Sequence, residues 1–488
     1  MTAVTRPATW RPRVRNPAIP PTPTHVACSK SLGWMLAAEG GSSVLGFTAL
    51  VVLARRLGPS SFAQVEYAAA VAAWLLVLVR GGVDVIVYRE AARRPRLIAP
   101  FTDLLLGLRG LAALLGFVVV LGLAALVGPE RGSVVAVAGL LLFAAVGVAD
   151  VGPRATGRLA CVAVTQTLRA LVYLALVMLV IGRPSHAFRA AGCLVAAEVL
   201  GSAILWIVHA RRFGPAWPAW RGRASRVLAQ RGAITGLTRF GRVTLYGLDM
   251  LALGWCVGPE LGPYAAARRV VFALVALGLV VPTTLAPAIA RAWSFGTASA
   301  RRSIRLANDG LWSLALPATV GLVLTGNRLM PWLFGAGYRD GGPWLMLVAL
   351  RLPLLLSGSF AQAALVACRR EAWCLRLVVG QVLLAILLVP AAAAWAGPWG
   401  VGWASLGIES AGAIVGWMLL ARLGVAGRCG LPPVAAVAGC ATLAAGCQIA
   451  GNSSLVVTCL AGALGYAAGW GLVTRARSNP RPAWEAGP

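Results

Sequence analysis

Along the chain, apolar runs of about 18–25 residues alternate with short polar gaps, the length that a helix needs to cross a hydrocarbon core. Read this way, the pattern predicts about fourteen spans: 33–54, 64–88, 102–127, 133–150, 159–181, 188–208, 238–257, 265–288, 307–326, 343–367, 374–396, 398–421, 433–450 and 454–473. Most carry interior Gly, Ala and Ser, which let helices approach closely in lipid. The fold class expected is an all-α polytopic membrane protein with two six-helix lobes and two further carboxyl-terminal helices.

Composition agrees with this pattern. Of 488 residues, 59% are apolar and 12% charged, and the mean hydropathy is +0.79. The formal charge of +29 would suggest nucleic acid in a soluble protein. Here the arginines fall in the gaps between apolar runs and no nucleic-acid recognition motif accompanies them, so nucleic acid is not an expected partner. Their distribution instead orients the chain. With the amino terminus inside, roughly 31 Lys and Arg lie in alternate cytoplasmic segments against about 9 opposite. Both termini are therefore expected on the cytoplasmic side; the resemblance described below implies the inner membrane of a bacterium.

The longest and most basic connection divides the chain. The expected organisation is a disordered basic tail (1–32), an N-lobe (33–208), a basic linker (209–237), a C-lobe (238–423), helices 13 and 14 (433–473) and a short tail (474–488). Gly58-Pro59 and Gly258-Pro259 each close a span and precede a Tyr-Ala-Ala-Ala, a faint repeat of the kind from which transporter lobes are built.

Nothing in the sequence points to an enzyme. The cysteines sit singly, among them Cys161, Cys193, Cys256, Cys440, Cys447 and Cys459, and His25, His186 and His209 are isolated, so no metal-ligand spacing occurs. No GxxxxGK phosphate loop is present. No cofactor is expected apart from a coupling H+ or Na+.

The chemistry lies in charges within the spans. In "LLVLVRGGVDVIVYREAARRP", Arg80 and Asp84 are four residues apart, which places them on one face of a continuous helix. A charge at the bilayer centre costs about 2.5–3.5 kcal/mol on insertion scales, so these two either pair with each other or line an interior cavity. Asp249 and Arg351 stand in long apolar runs and are the other cavity candidates. Glu39, Glu198 and Asp249 could hold a coupling cation or pair with an arginine. Glu409 also lies in an apolar run, and Arg109 and Arg169 suit snorkelling or structural pairing.

The stretch "LARRLGPSSFAQVEYAAAVAAWLLVLVRGGVDVIVYREAAR" resembles the first two spans of the oligosaccharide flippases, the Wzx-like branch of the multidrug/oligosaccharidyl-lipid/polysaccharide exporter superfamily. The resemblance rests on the turn Leu57-Gly58-Pro59, the patch Arg80-Gly81-Gly82 and the exit Arg89-Glu90-Ala91-Ala92-Arg93. It resumes at "YGLDMLALGWCVGPELGPYAAARRV", where Asp249 matches an acidic residue usual in the seventh span, and extends from about 33 to 425. Arg80 stands where the family more often has an acid, and Asp84 supplies one four residues later.

The resemblance implies a fold like that of the drug exporters of the superfamily. It also implies a flippase moving a polyprenyl-pyrophosphate-linked oligosaccharide outward for surface polysaccharide such as O-antigen. The lobes would rock around the head group. Guanidinium groups would hold its phosphates, and Trp74, Tyr246 and Trp255 could stack on sugars. The substrate, membrane lipids, a polysaccharide polymerase and glycosyltransferases are the implied partners. The rivals are a cation-coupled multidrug exporter, a lipid II flippase and a non-transporting scaffold for polysaccharide enzymes.

Overall fold

A computed structural model describes residues 25–156, 159–220, 222–256, 261–426, 434–449 and 454–478. Gly258, Pro259, Arg158, Arg221, Arg428, both chain ends and the side chains of Glu39, Arg89, Arg223, Arg231 and Cys256 lie outside the described residues. The described part contains helices and turns without strands. The first half comprises α1 (His25–Arg80), α2 (Val83–Arg93), α3 (Ile98–Leu126), α4 (Pro129–Gly139), α5 (Leu141–Val146), α6 (Val151–Ala155), α7 (Leu159–Val180) and α8 (Ala187–Phe213). The second comprises α9 (Gly222–Cys256), α10 (Leu261–Gly278), α11 (Val280–Ser294), α12 (Thr297–Phe334), α13 (Gly341–Ala349), α14 (Arg351–Ala367), α15 (Glu371–Arg422), α16 (Val434–Ile449) and α17 (Leu455–Ser478).

Nine of the described segments are long and apolar enough to cross a membrane. Two of these are double crossings. Gly40–Arg80 and Glu371–Arg422 hold 41 and 52 residues, and at about 1.5 Å per residue each is roughly twice a bilayer core or more. Gly58 interrupts the first with φ 72°, a left-handed value open to glycine, and Pro59 follows. Ala396 and Gly397 interrupt the second. The limbs of α15 fold back on each other, since the Gln381 amide donates to the Ile408 carbonyl at 3.4 Å. With α9 and the shorter α16 and α17, the fourteen expected crossings are present. The apolar half of α9 carries three charges, Arg239, Arg242 and Asp249.

Several spans differ from their expected form. Span 64–88 is cut at Gly81 and Gly82 (φ 44° and 63°), whereas Leu140, Leu279 and Leu350, at the junctions inside 133–150, 265–288 and 343–367, keep right-handed helical φ and ψ. The expected linker 209–237 is largely helical: α8 continues to Phe213 and α9 starts at Gly222. The short segment between them is tied to α3, with the Trp217 and Ala219 amides donating to the Asp103 carboxylate and carbonyl at 2.9 and 3.0 Å.

Side-chain and backbone contacts sort the connections into two ends. At one end Gly152 meets the Phe213 ring, Gly82 meets the backbone of Gly236, and Arg301 donates to the Gly424 carbonyl. At the other, Arg56 caps the carboxyl end of α7 through the Ile181 carbonyl at 2.7 Å, Arg55 caps α12 through the Leu333 carbonyl at 2.6 Å, and Pro59 meets Gly262. The arginine-rich gaps belong to the first end. The core runs through both lobes, from Leu53 and Phe62 to Leu352 and Val401. Leu115, Val118, Leu387 and Trp395 face outward, as lipid contact requires.

The second limb of α1 packs along α9 for its whole length. Gly254 lies against the Tyr67 ring, Trp74 Nε1 donates to Thr244 Oγ1 at 2.8 Å, and Gly82 lies on Gly236. A Cβ on Gly82 would stand 2.2 Å from the Gly236 nitrogen, so this crossing demands glycine for its closeness as well as its φ.

Candidate functional site

The breaks in the helices set the positions of the charges. Arg80 ends α1, and the Gly81-Gly82 turn separates it from Asp84, which opens α2. The continuous helical face expected for this pair therefore does not exist. Asp84 pairs with Arg109 of α3 instead, Oδ1 to Nη2 at 2.9 Å, with both side chains buried. Arg109 Nη1 also donates to the Val148 carbonyl at 2.7 Å, serving the unwound stretch between α5 and α6. A buried backbone carbonyl freed by unwinding needs such a donor, so Arg109 is a buried tie rather than a snorkelling residue.

Beside this pair, Tyr88 donates to Asp150 Oδ1 at 2.8 Å and Arg154 Nε donates to Asp150 Oδ2 at 2.6 Å. Arg80 lies in electrostatic range of Arg109, Glu198, Asp84 and Asp150 but forms no hydrogen bond or ion pair among the described residues. It is half-buried. Glu198 is held by Arg169, a pair joining α8 to α7.

In the C-lobe, the structure brings Asp249 and Arg351 together. Asp249 Oδ2 accepts from Arg351 Nη1 at 3.2 Å, Arg268 Nε at 3.1 Å and the Tyr264 hydroxyl at 3.1 Å, while Oδ1 accepts from the Met250 amide at 2.8 Å. Arg268 further donates to the Tyr246 carbonyl and lies over the Phe272 ring. Asp249 and Arg351 are each 1% exposed. This is a closed tie between α9, α10 and α14, with Arg351 at the start of α14.

Two further groups lie outside the sequence candidates. Glu66 of α1 and Arg269 of α10 form an ion pair across the lobes at 2.5 Å, with Glu66 buried. Arg242 Nη2 donates to the Tyr246 hydroxyl at 3.1 Å and to Ser359 Oγ at 3.0 Å. Glu66 stood in plain view inside "SSFAQVEYAAAVAAW"; Arg268 and Arg269 lay near the start of the expected span 265–288 and were not singled out. Of the aromatic candidates, Trp74 and Tyr246 are engaged at the lobe junction and in the C-lobe, and Trp255 is largely exposed at the far end.

At that end a cavity of about 240 Å³ opens between the lobes, lined by Ser60, Gln64, Tyr67, Arg131, Gly254 and Leu261. No group of three or more His, Cys, Asp and Glu suited to a metal occurs among the described residues.

Residues 29–293 match the profile of a polysaccharide biosynthesis protein family. No curated protein sequence matches. Among solved structures, the chain is similar to the lipid II flippase MurJ in an inward closed conformation, with a TM-score of 0.68 at 14% identity over 93% of this chain and 100% of that one. It is also similar to an inward-facing multidrug resistance MATE family transporter of the MOP superfamily (TM-score 0.62, 14% identity, 78% and 94% coverage). The Vibrio cholerae MATE transporter VcmN in its bent form matches with a TM-score of 0.52 at 15% identity, covering 81% of this chain and 97% of that one.

Proposed function

The chain belongs to the polysaccharide biosynthesis protein family, and from that premise we propose that it is a flippase carrying a polyprenyl-pyrophosphate-linked oligosaccharide across the inner membrane, without enzymatic turnover of its substrate. The observation that carries this reading is Arg80. It is half-buried and has no ion-pair partner among the described residues, while Asp84, Asp150 and Glu198 around it are each held by another arginine. A guanidinium stays protonated and binds phosphate oxygens bidentately, so a spare one inside a lobe suits a diphosphate head group better than a cationic drug. The polyprenyl tail stays in lipid while the lobes part along the α1 and α9 seam.

The arginine-rich end of the bundle then faces the cytoplasm with both termini, where glycosyltransferases supply the substrate; a polymerase takes it up outside. A strain lacking the gene tests this reading. Its lipid-linked glycans are expected to accumulate protected from an impermeant glycan-cleaving enzyme applied to spheroplasts. The wild-type gene restores access and Arg80→Gln does not. An unchanged, accessible pool overturns the reading. The likeness to MurJ along that whole chain supports a second reading, a lipid II flippase. In that case the protected pool is the peptidoglycan precursor rather than a surface glycan.

A further inference from the structure

The seam between the lobes is filled along most of its length and open at one end. From Tyr67 against Gly254, through Trp74 on Thr244, to Gly82 on Gly236, the second limb of α1 touches α9. Towards the end away from the arginine-rich gaps, Ser60, Ala63, Gln64 and Tyr67 of that limb line a cavity of about 240 Å³. Their spacing of i, i+3, i+4 and i+7 places all four on one helix face. Arg131 of α4, Gly254 of α9 and Leu261 of α10 complete the lining.

This lining is not that of a packing seam. Leu75, Leu245 and Leu253 fill the shared core of α1 and α9 with apolar side chains, whereas a hydroxyl, an amide, a phenol and a guanidinium converge on the cavity. Ser60 and Gln64 form no hydrogen bond among the described residues. The Arg131 guanidinium reaches across the lobes to the Gly254 carbonyl at a long 3.5 Å. Ser60 and Arg131 are exposed at the mouth, while Tyr67 is buried and pressed so closely on Gly254 that a Cβ there would lie 2.2 Å from its ring.

Size and chemistry together select the ligand. The volume is that of roughly eight waters at ~30 Å³ each and lies below the ~300 Å³ at which drug-sized sites begin, so one small polar ring fills it. A lipid tail would strand four polar groups. No group suited to a metal occurs among the described residues. A hydroxyl and an amide both donate and accept, as a sugar's hydroxyls require, and a guanidinium favours a carboxylate. A sugar ring bearing a carboxylate presents both.

We propose that this cavity binds an acidic sugar unit of glycan lying outside the membrane. The proposal rests on the transport reading above and adds a regulatory site to it. Because the lining comes from α1 and α4 of one lobe and α9 and α10 of the other, the site is complete only while the lobes meet at this end. A ligand that binds one state better draws the population towards it. Bound sugar therefore holds this end closed, and accumulated glycan slows further export.

Saturation-transfer NMR on the full-length protein in lipid nanodiscs, titrated with a glucuronate disaccharide, tests the site. Saturable binding is expected, about tenfold weaker in Arg131→Gln through loss of a charge-assisted contact, and several-fold weaker in Gln64→Ala. Arg131 is exposed, so its variant is expected to keep the wild-type thermal midpoint. Absence of saturable binding, or equal binding in Arg131→Gln, overturns the proposal. Equal competition by inorganic phosphate marks a plain anion site and overturns it as well. In proteoliposomes, with a fluorescent polyprenyl-pyrophosphate-linked sugar as probe, the disaccharide on the cavity side should slow wild-type flipping several-fold and leave Arg131→Gln unaffected. Binding without this slowing overturns the regulatory role. Binding by a wild type that moves no probe overturns the transport reading and leaves the sugar site standing.

Discussion

The two lobes handle buried charge differently. In the C-lobe, Asp249 takes donors from α10 and α14 and from its own helix, and the oxygens of its carboxylate are fully used. In the N-lobe, Asp84 is consumed by Arg109, and Arg80 is left over. In the C-lobe the buried carboxylate Glu409 has no ion-pair partner among the described residues. One lobe thus keeps a spare cation and the other a spare acid. The contrast separates charges that hold helices together from charges that are free to act.

The sharpest way to break this contrast is Asp249→Asn. It leaves Arg268 and Arg351 buried without a counter-charge, a change that costs about 3–5 kcal/mol when one partner of a buried pair is removed. The expected outcome is a steep fall in thermal midpoint and in folded yield, read by fluorescence-detected size exclusion. If the variant keeps its wild-type midpoint, the tie is not structural.

Next comes a pair of variants within the N-lobe. Arg109→Gln should destabilise by a similar few kcal/mol because Asp84 and the Val148 carbonyl lose their donor. Arg80→Gln should change stability by less than about 1 kcal/mol while lowering flipping at least about tenfold, the equivalent of roughly 1.4 kcal/mol of lost binding. Equal thermal losses in both would erase the distinction between tie and free cation. The smallest effect belongs to the exposed Arg93 and Glu90 pair, 3.6 Å apart with Arg93 66% exposed. Arg93→Gln should leave both midpoint and transport within about 0.5 kcal/mol of wild type.

Much of this fold was readable along the chain. The number of crossings, the grouping of arginines at one end and the apolar outer faces follow from run length and charge placement, because lipid imposes both locally. Asp249 and Arg351 were singled out as charges that lipid would reject, and they are indeed buried. Their meeting was not readable, since 102 residues separate them and the contact depends on how α9 and α14 pack. Arg80 and Asp84 illustrate the reverse case. Their spacing implied one helical face, but Gly81 and Gly82 adopt positive φ and the close seam with Gly236 holds them there.

The sequence by itself therefore determined a membrane-spanning helical chain, its crossings and the gathering of its basic segments at one end, all of them consequences of matching each segment to water or lipid. Only the tertiary structure decided which charges are spent. Pairing is a property of three-dimensional neighbours: Arg109 changed from a peripheral candidate to a buried tie, and among the described residues neither Arg80 nor Glu409 has an ion-pair partner.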